Sequence, residues 1–232
     1  MAGKVGILTI TMEDGQLYQT YKQAVTVLQA AGVKLVVGGG TAVAAYGRRR
    51  YTKDFDIFLN KEDLAQAMTV LNGCGFFTSD TEKPWLYKAL SPPAQIDLII
   101  RSAGNYTLDE EVVRRARLVE VLGQVFPLMS PEDLLVRKIS STTEGRPDWY
   151  DALSVLEAQQ LDWDYLLYRA ERCPERLLGF LLFAISDFPA DRELVPRWVL
   201  GRLLAAVRWR LNVTLEPVPA LPRRRALKSA AG

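Results

Sequence analysis

Two aspartates one residue apart, Asp54 and Asp56, carry the most suggestive spacing in this chain of 232 residues. A strand over Asp54 to Leu59 would set Asp54, Asp56 and Phe58 on one face, and Phe55, Ile57 and Leu59 on the other. Both carboxylates would then reach a common cation. Magnesium, with manganese as the alternative, takes hard oxygen ligands and completes its shell with water and substrate phosphate. The same pair would also suit the solvated face of an edge strand. Asp97 is harder to place at a surface, because Ile96, Leu98, Ile99 and Ile100 surround it. An ionised carboxylate there is costly without a partner or a metal. If its strand lies beside that of Asp54, three carboxylates converge as metal ligands, with Asp97 the candidate base for an acceptor hydroxyl.

Gly38, Gly39, Gly40 and Thr41 supply the second feature. A glycine-rich turn between strand and helix lets the backbone approach a phosphate, and the helix N-terminal amides attract its charge. The same glycines would also make an ordinary tight turn.

Several elements must position these residues. Tyr18, Tyr21, Val25, Leu28 and Ala31 fall at helical spacing, and Gly32 is a natural stop. Strands are expected over Val5 to Ile10, Lys34 to Val37, Asp54 to Leu59 and Gln95 to Arg101, with weaker ones over Gly75 to Phe77 and Trp85 to Ala89. Helices are expected over Thr41 to Tyr46 and Lys61 to Leu71, and Val119 to Phe126 reads as a further strand or loop. Ser130, Pro131, Glu132 and Asp133 then form a helix start: a hydroxyl cap, a first-turn proline and acids at the positive dipole end. Helical texture follows through Leu134 to Ser140, Asp148 to Gln159, Trp163 to Arg172, Glu175 to Ile185 and Arg197 to Leu211. The expectation is an α+β protein with a small mixed sheet flanked by helices over 1–128, a helical region over 129–216 and a flexible tail over 217–232. Leu153, Leu156, Leu166, Leu177, Leu181 and Leu182 are read as core, and Trp149, Trp163 and Trp198 as packing groups.

At 49% hydrophobic residues the chain can bury a substantial core, and its net charge of +2 demands no polyanionic partner globally. Basic residues do cluster at Arg48 to Arg50, around Arg114, Arg115 and Arg117, and at Arg223 to Arg225. Cys74 and Cys173 suggest neither a disulfide framework nor a zinc site. The opening apolar run is too short for a signal peptide and Leu177 to Ile185 too short for a membrane span, so a cytoplasmic protein with no membrane partner is expected. The chain contains no histidine, which excludes Ser-His-Asp triads, Cys-His pairs and imidazole bases. Carboxylates must carry any hard-metal chemistry.

The stretch VVGGGTAVAAYGRRRYTKDFDIFL resembles the signature of the polymerase-β-like nucleotidyltransferase superfamily, two small residues followed by Asp-x-Asp. Its GGTA and Arg-x-Thr-x-Asp-x-Asp are similar to the minimal nucleotidyltransferases and the AbiEii-type toxin enzymes. The resemblance implies that Gly39 and Gly40 hold the nucleotide phosphates, that Thr41 and Arg50 assist, and that Asp54 and Asp56 hold magnesium with Asp97 as the third carboxylate. Further on, Lys138, Arg146, Asp148 and Asp151 resemble an AbiEii-like element in which a lysine and an aspartate complete the site. Pro147 departs from that pattern, Asp148 would equally cap its helix, and Lys138 would equally sit on an amphipathic surface.

Two functions follow as expectations. One is an enzyme moving a nucleoside monophosphate from a nucleoside triphosphate, ATP among them, to an acceptor hydroxyl. The acceptor would be a tRNA 3′ end in a toxin–antitoxin context, or a small molecule or protein. The other is a non-catalytic module that binds a nucleotide or a partner such as an antitoxin.

Overall fold

Helix α1, Met12–Ala30, places Tyr21, Val25 and Leu28 in the core, and Gly32 ends the segment in the left-handed region at φ 82°. In the computed structural model the described residues are 12–52, 54–143, 149–188 and 193–213. The expected strand over Val5 to Ile10, and the tail from Pro217, lie outside them.

Strand β1 (Leu35–Val37) runs into α2 (Gly39–Tyr46), followed by β2 (Phe55–Leu59), α3 (Leu64–Gly73), β3 (Phe77–Asp80), β4 (Leu86–Ser91) and β5 (Ala94–Ile99). A short helix, α4 (Glu110–Arg114), then precedes β6 (Arg117–Val121) and β7 (Gln124–Leu128). The seven strands form one mixed sheet in the order β3-β4-β5-β2-β1-β7-β6. The central strand β2 pairs antiparallel with β1 and parallel with β5. Being covered on both sides, the middle of the sheet is nearly continuous in apolar residues, as in FDIFL.

Alternation along β2 separates two environments. Phe55 faces α1, where its ring stacks on Tyr21 with centroids 4.3 Å apart. Phe58 faces the other way, under the guanidinium of Arg137 at 4.8 Å. Burying a phenylalanine such as Phe55 contributes roughly 1.5–3 kcal/mol, which holds the strand's register and so the direction of its aspartates.

Helices α5 (Pro131–Ser141), α6 (Trp149–Ala158), α7 (Trp163–Arg169), α8 (Pro174–Asp187) and α9 (Arg197–Leu211) complete the chain. The Ser130 hydroxyl accepts the Asp133 N–H at 3.1 Å, the cap expected from its sequence. Helix α5 joins two cores: Leu134 packs into the sheet core, while Leu135, Val136 and Ile139 pack among the following helices.

Two expectations are corrected, and one helix comes in addition to those expected. The segment read as one strand or loop over Val119 to Phe126 is a hairpin, β6 to β7, turning at Leu122 and Gly123 with φ 49° and 76°. Positive φ at both turn residues matches the twist of the strands, but Leu122 lacks the Asn or Asp that usually announces such a turn. Helix α4, with Asp109 accepting the Val112 N–H at 2.9 Å, was not anticipated. Leu182, read as core, is 49% exposed on α8.

Candidate active site

The turn after β1 brings glycine against aspartate. Gly38 donates its N–H to the carbonyl of Asp56 at 3.0 Å, which ties the start of α2 to β2. Gly39 adopts φ 54°, and any Cβ there would collide with the Asp56 carboxylate. The Gly40 N–H is hydrogen-bonded to the same side chain. A close approach of backbone to carboxylate therefore requires glycine at Gly39, for reasons of both conformation and space.

Asp56 stands directly opposite Asp97 in the parallel pairing of β2 with β5. Residues in register on adjacent strands project to the same face, so the two carboxylates are neighbours. Burial, then the charges of Asp97 and Asp54, push the Asp56 carboxyl up to about 6, against the opposing pull of Lys138 and the Gly40 N–H. Asp97 is 8% exposed and its Oδ1 accepts from Lys88 Nζ at 2.7 Å. Asp54 accepts a hydrogen bond from Gln95 Nε2.

Gly39, Gly40, Asp54, Asp56, Asp97 and Lys138 all line one cavity of about 1090 Å³, joined by Arg50. Gly38 and Thr41 do not line it. Gly38 acts through its backbone, and Thr41 is fully buried behind the helix start. Asp151 does not line it either. Instead it accepts from Lys138 Nζ at 3.0 Å, Arg50 at 2.5 Å and Arg48 Nε at 2.9 Å, and so ties α5 and α6 to the loop after α2. Burial would raise the Asp151 carboxyl, but Lys138, Arg50 and Arg48 together hold it below the usual carboxylate range. Arg146 and Asp148 lie outside the described residues.

The three carboxylates share a sheet face, yet among the described residues no group of three lies close enough to hold a metal ion. Lys88 and Gln95 engage Asp97 and Asp54 individually. The donor chemistry still fits a divalent cation: Asp54 and Asp56 offer hard oxygens, and a cation would offset both the burial of the Asp56 carboxylate and the nearby charges of Asp97 and Asp54.

Arg48 was noted only within a basic cluster, and Lys88 and Gln95 escaped the sequence reading as site residues, as did the cavity residues Lys83, Trp85, Arg101 and Arg137. For Lys88 a signal exists. Four residues back from Pro92 is Lys88, and four on from Pro93 is Asp97, which a tight hairpin places in register.

A glycine-opened helix facing adjacent strand aspartates, with lysine and arginine around the same cavity, is an arrangement suited to an enzyme that handles nucleotides. The chain belongs to the family described as nucleotidyl transferase of unknown function (DUF2204), whose model matches residues 17–181, and it is therefore a nucleotidyltransferase. A comparison with proteins of curated function returns no match. Among solved structures, the antibiotic-resistance factor ANT(2″)-Ia is similar at 16% identity and a TM-score of 0.42, over 87% of this chain and 95% of that one. The lincosamide antibiotic adenylyltransferase LnuA is similar at 15% identity and a TM-score of 0.42, over 62% of this chain and 98% of that one. A tRNA-processing enzyme is similar at 12% identity and a TM-score of 0.35, over 85% and 79%. Among the described residues no helix is long and apolar enough to cross a membrane.

Proposed function

We propose that this nucleotidyltransferase moves a nucleoside monophosphate from a nucleoside triphosphate to an acceptor hydroxyl, with magnesium or manganese held by Asp54 and Asp56. The observation that carries the reading is the pairing of Asp56 with Asp97 on one sheet face, in a cavity entered by the glycine start of α2. A bound divalent cation would neutralise phosphate charge and polarise the transferred phosphoryl group. Gly39 and Gly40 open α2 at the cavity, where the helix N-terminus would attract the phosphates, and Lys138 and Arg50 supply positive charge beside them. The acceptor oxygen attacks the α-phosphorus as the bond to the bridging oxygen of the β-phosphate breaks and pyrophosphate leaves. Asp97 receives the acceptor's proton. Positioning and charge neutralisation supply the rate, which a site without histidine can provide.

The cavity wall favours an anionic acceptor. Arg50, Lys83, Lys88, Arg101, Arg137 and Lys138 line it with Asp54, Asp56 and Asp97, and even with Arg50 and Lys138 shared with Asp151 the balance is positive. A tRNA 3′ end suits this balance, with an antitoxin as the partner that the AbiEii-type resemblance implies. A small-molecule or protein hydroxyl is the second reading, which the cavity's volume also accommodates.

Incubation with each labelled nucleoside triphosphate, magnesium and total RNA tests this, beside an Asp54→Ala, Asp56→Ala double variant. Label in RNA with the intact protein alone is the expected result. Label in the protein itself or in a small acceptor would move the acceptor to the second reading. Transfer to none of these would remove the mechanism.

A further inference from the structure

Lys88 has no part in the mechanism so far, yet it is directed into the site by the fold. It sits inside β4, paired with β5 from Leu86 to Ser91, and stands directly opposite Asp97. Its ammonium lies 2.7 Å from Asp97 Oδ1, and its side chain is 30% exposed. This is a strand position flanked by paired residues on both sides, so its stem cannot drift as a loop lysine would. The partner carboxylate is also mostly buried, which makes leaving it unpaired costly.

Three carboxylates on one face would call for two divalent ions to neutralise them and the incoming triphosphate. Here one of the three is already occupied by a cation. We infer that Lys88 is a built-in counter-cation taking the place of a second metal ion, so that the site works with a single divalent ion held by Asp54 and Asp56. The inference rests on the nucleotidyl-transfer reading above. An ammonium supplies charge and three donors but no coordination geometry. Lys88 would therefore hold Asp97 aimed at the acceptor hydroxyl and offset charge developing on the acceptor oxygen. The two remaining carboxylates, with phosphate oxygens and water, form an ordinary magnesium shell.

The test counts ions rather than turnover. Bound manganese is measured by equilibrium dialysis and paramagnetic resonance, using the full chain with one equivalent of a non-hydrolysable triphosphate. The wild type should retain one ion per chain, K88M should gain a second and weaker one, and K88R should return to one. Dependence of the rate on magnesium should change in parallel, from simple saturation to a steeper curve in K88M. Two ions in the wild type would overturn the role of Lys88 and leave nucleotidyl transfer standing. One ion in both wild type and K88M would show that Lys88 does not set the number. No ion in the wild type would instead sink the metal-dependent mechanism itself. The wild-type count stands even if a variant folds poorly.

Discussion

Lys138 Nζ lies 3.0 Å from Asp151 Oδ2, joining the last turn of α5 to the first turn of α6. Only the lysine lines the cavity. Asp151 therefore acts by holding cations in place: Lys138 and Arg50 toward the cavity, and Arg48 beside them. Asp151→Ala should leave Lys138, 11% exposed at its side chain, without that acceptor and destabilise the protein by about 2–3 kcal/mol in urea titration. Asp151→Asn should keep most of the stability, yet raise KM for the triphosphate several-fold. Unchanged kinetics in Asp151→Asn would rule out the positioning role.

Gly39→Ala should separate chemistry from folding. The substitution forces a side chain into φ 54° and pushes the Asp56 carboxylate from its position. The backbone cost alone is about 1–2 kcal/mol. Displacement of a ligand by an ångström costs roughly 100-fold in rate. Gly73→Ala is the control, since nothing lies within 4 Å of the added carbon. It should leave kcat and Tm close to wild type. Equal activity in the two variants would contradict the close approach of α2 to Asp56.

Local signals made much of the site readable before the fold was known. Alternation in DFDIFL put Asp54 and Asp56 on one side, and the glycine run marked the turn that faces them. Asp97 was conspicuous because a charge amid isoleucines needs a partner, and Lys88, nine residues earlier, supplies one. Asp151 was singled out by resemblance, but its place behind Lys138 depends on how α6 docks on α5, which no local pattern encodes. The helices after Ser130 followed from caps and periodicity. The β6 to β7 hairpin did not, because Leu122 adopts a conformation its type disfavours. Leu182 failed for a related reason: leucine spacing marks a helix, but α8 buries one side only.

A second buried carboxylate ties the start of α5 to α7 and, through Arg169, to the cap of α4. Asp133, at the N-terminus of α5, accepts from Tyr165 Oη at 2.8 Å and from Ser130 Oγ at 2.9 Å. Arg169 Nε stands 2.7 Å from it, and Arg169 also reaches Asp109 at 2.6 Å. Asp133→Ala leaves the buried Arg169 still paired with Asp109 but takes the acceptor from Tyr165 Oη, and should cost about 3 kcal/mol in chemical denaturation. None of Ser130, Tyr165, Arg169 and Asp109 lines the cavity, and Arg137, which feels the Asp133 charge and does line it, keeps its hydrogen bonds to Ser102, Tyr106 and Thr107. The fraction that remains folded should keep its KM for the triphosphate, in contrast to Asp151→Asn. A raised KM in folded Asp133→Ala would show that this network reaches the site.

Asp56 gives a pH dependence of opposite sign to that of a salt-bridged carboxylate. Its folded value, about 6, lies above the ordinary 3.8, so the folded protein holds a proton that the unfolded chain releases between those limits. Stability from this group is full below about pH 4 and is lost as pH rises through 6, by roughly 2–3 kcal/mol in all. Asp56→Asn carries no charge to bury. Without divalent ions it should be more stable than wild type at pH 7.5, show a flatter stability profile between pH 4 and 7, and have no transferase activity. Magnesium should raise the Tm of the wild type at pH 7.5 and leave that of Asp56→Asn nearly unmoved, because a cation offsets the same repulsion that the amide removes. If Asp56→Asn melts below wild type at pH 7.5 in chelator, Asp56 is held by partners rather than strained by its neighbours, and the charge argument for the site fails at its centre.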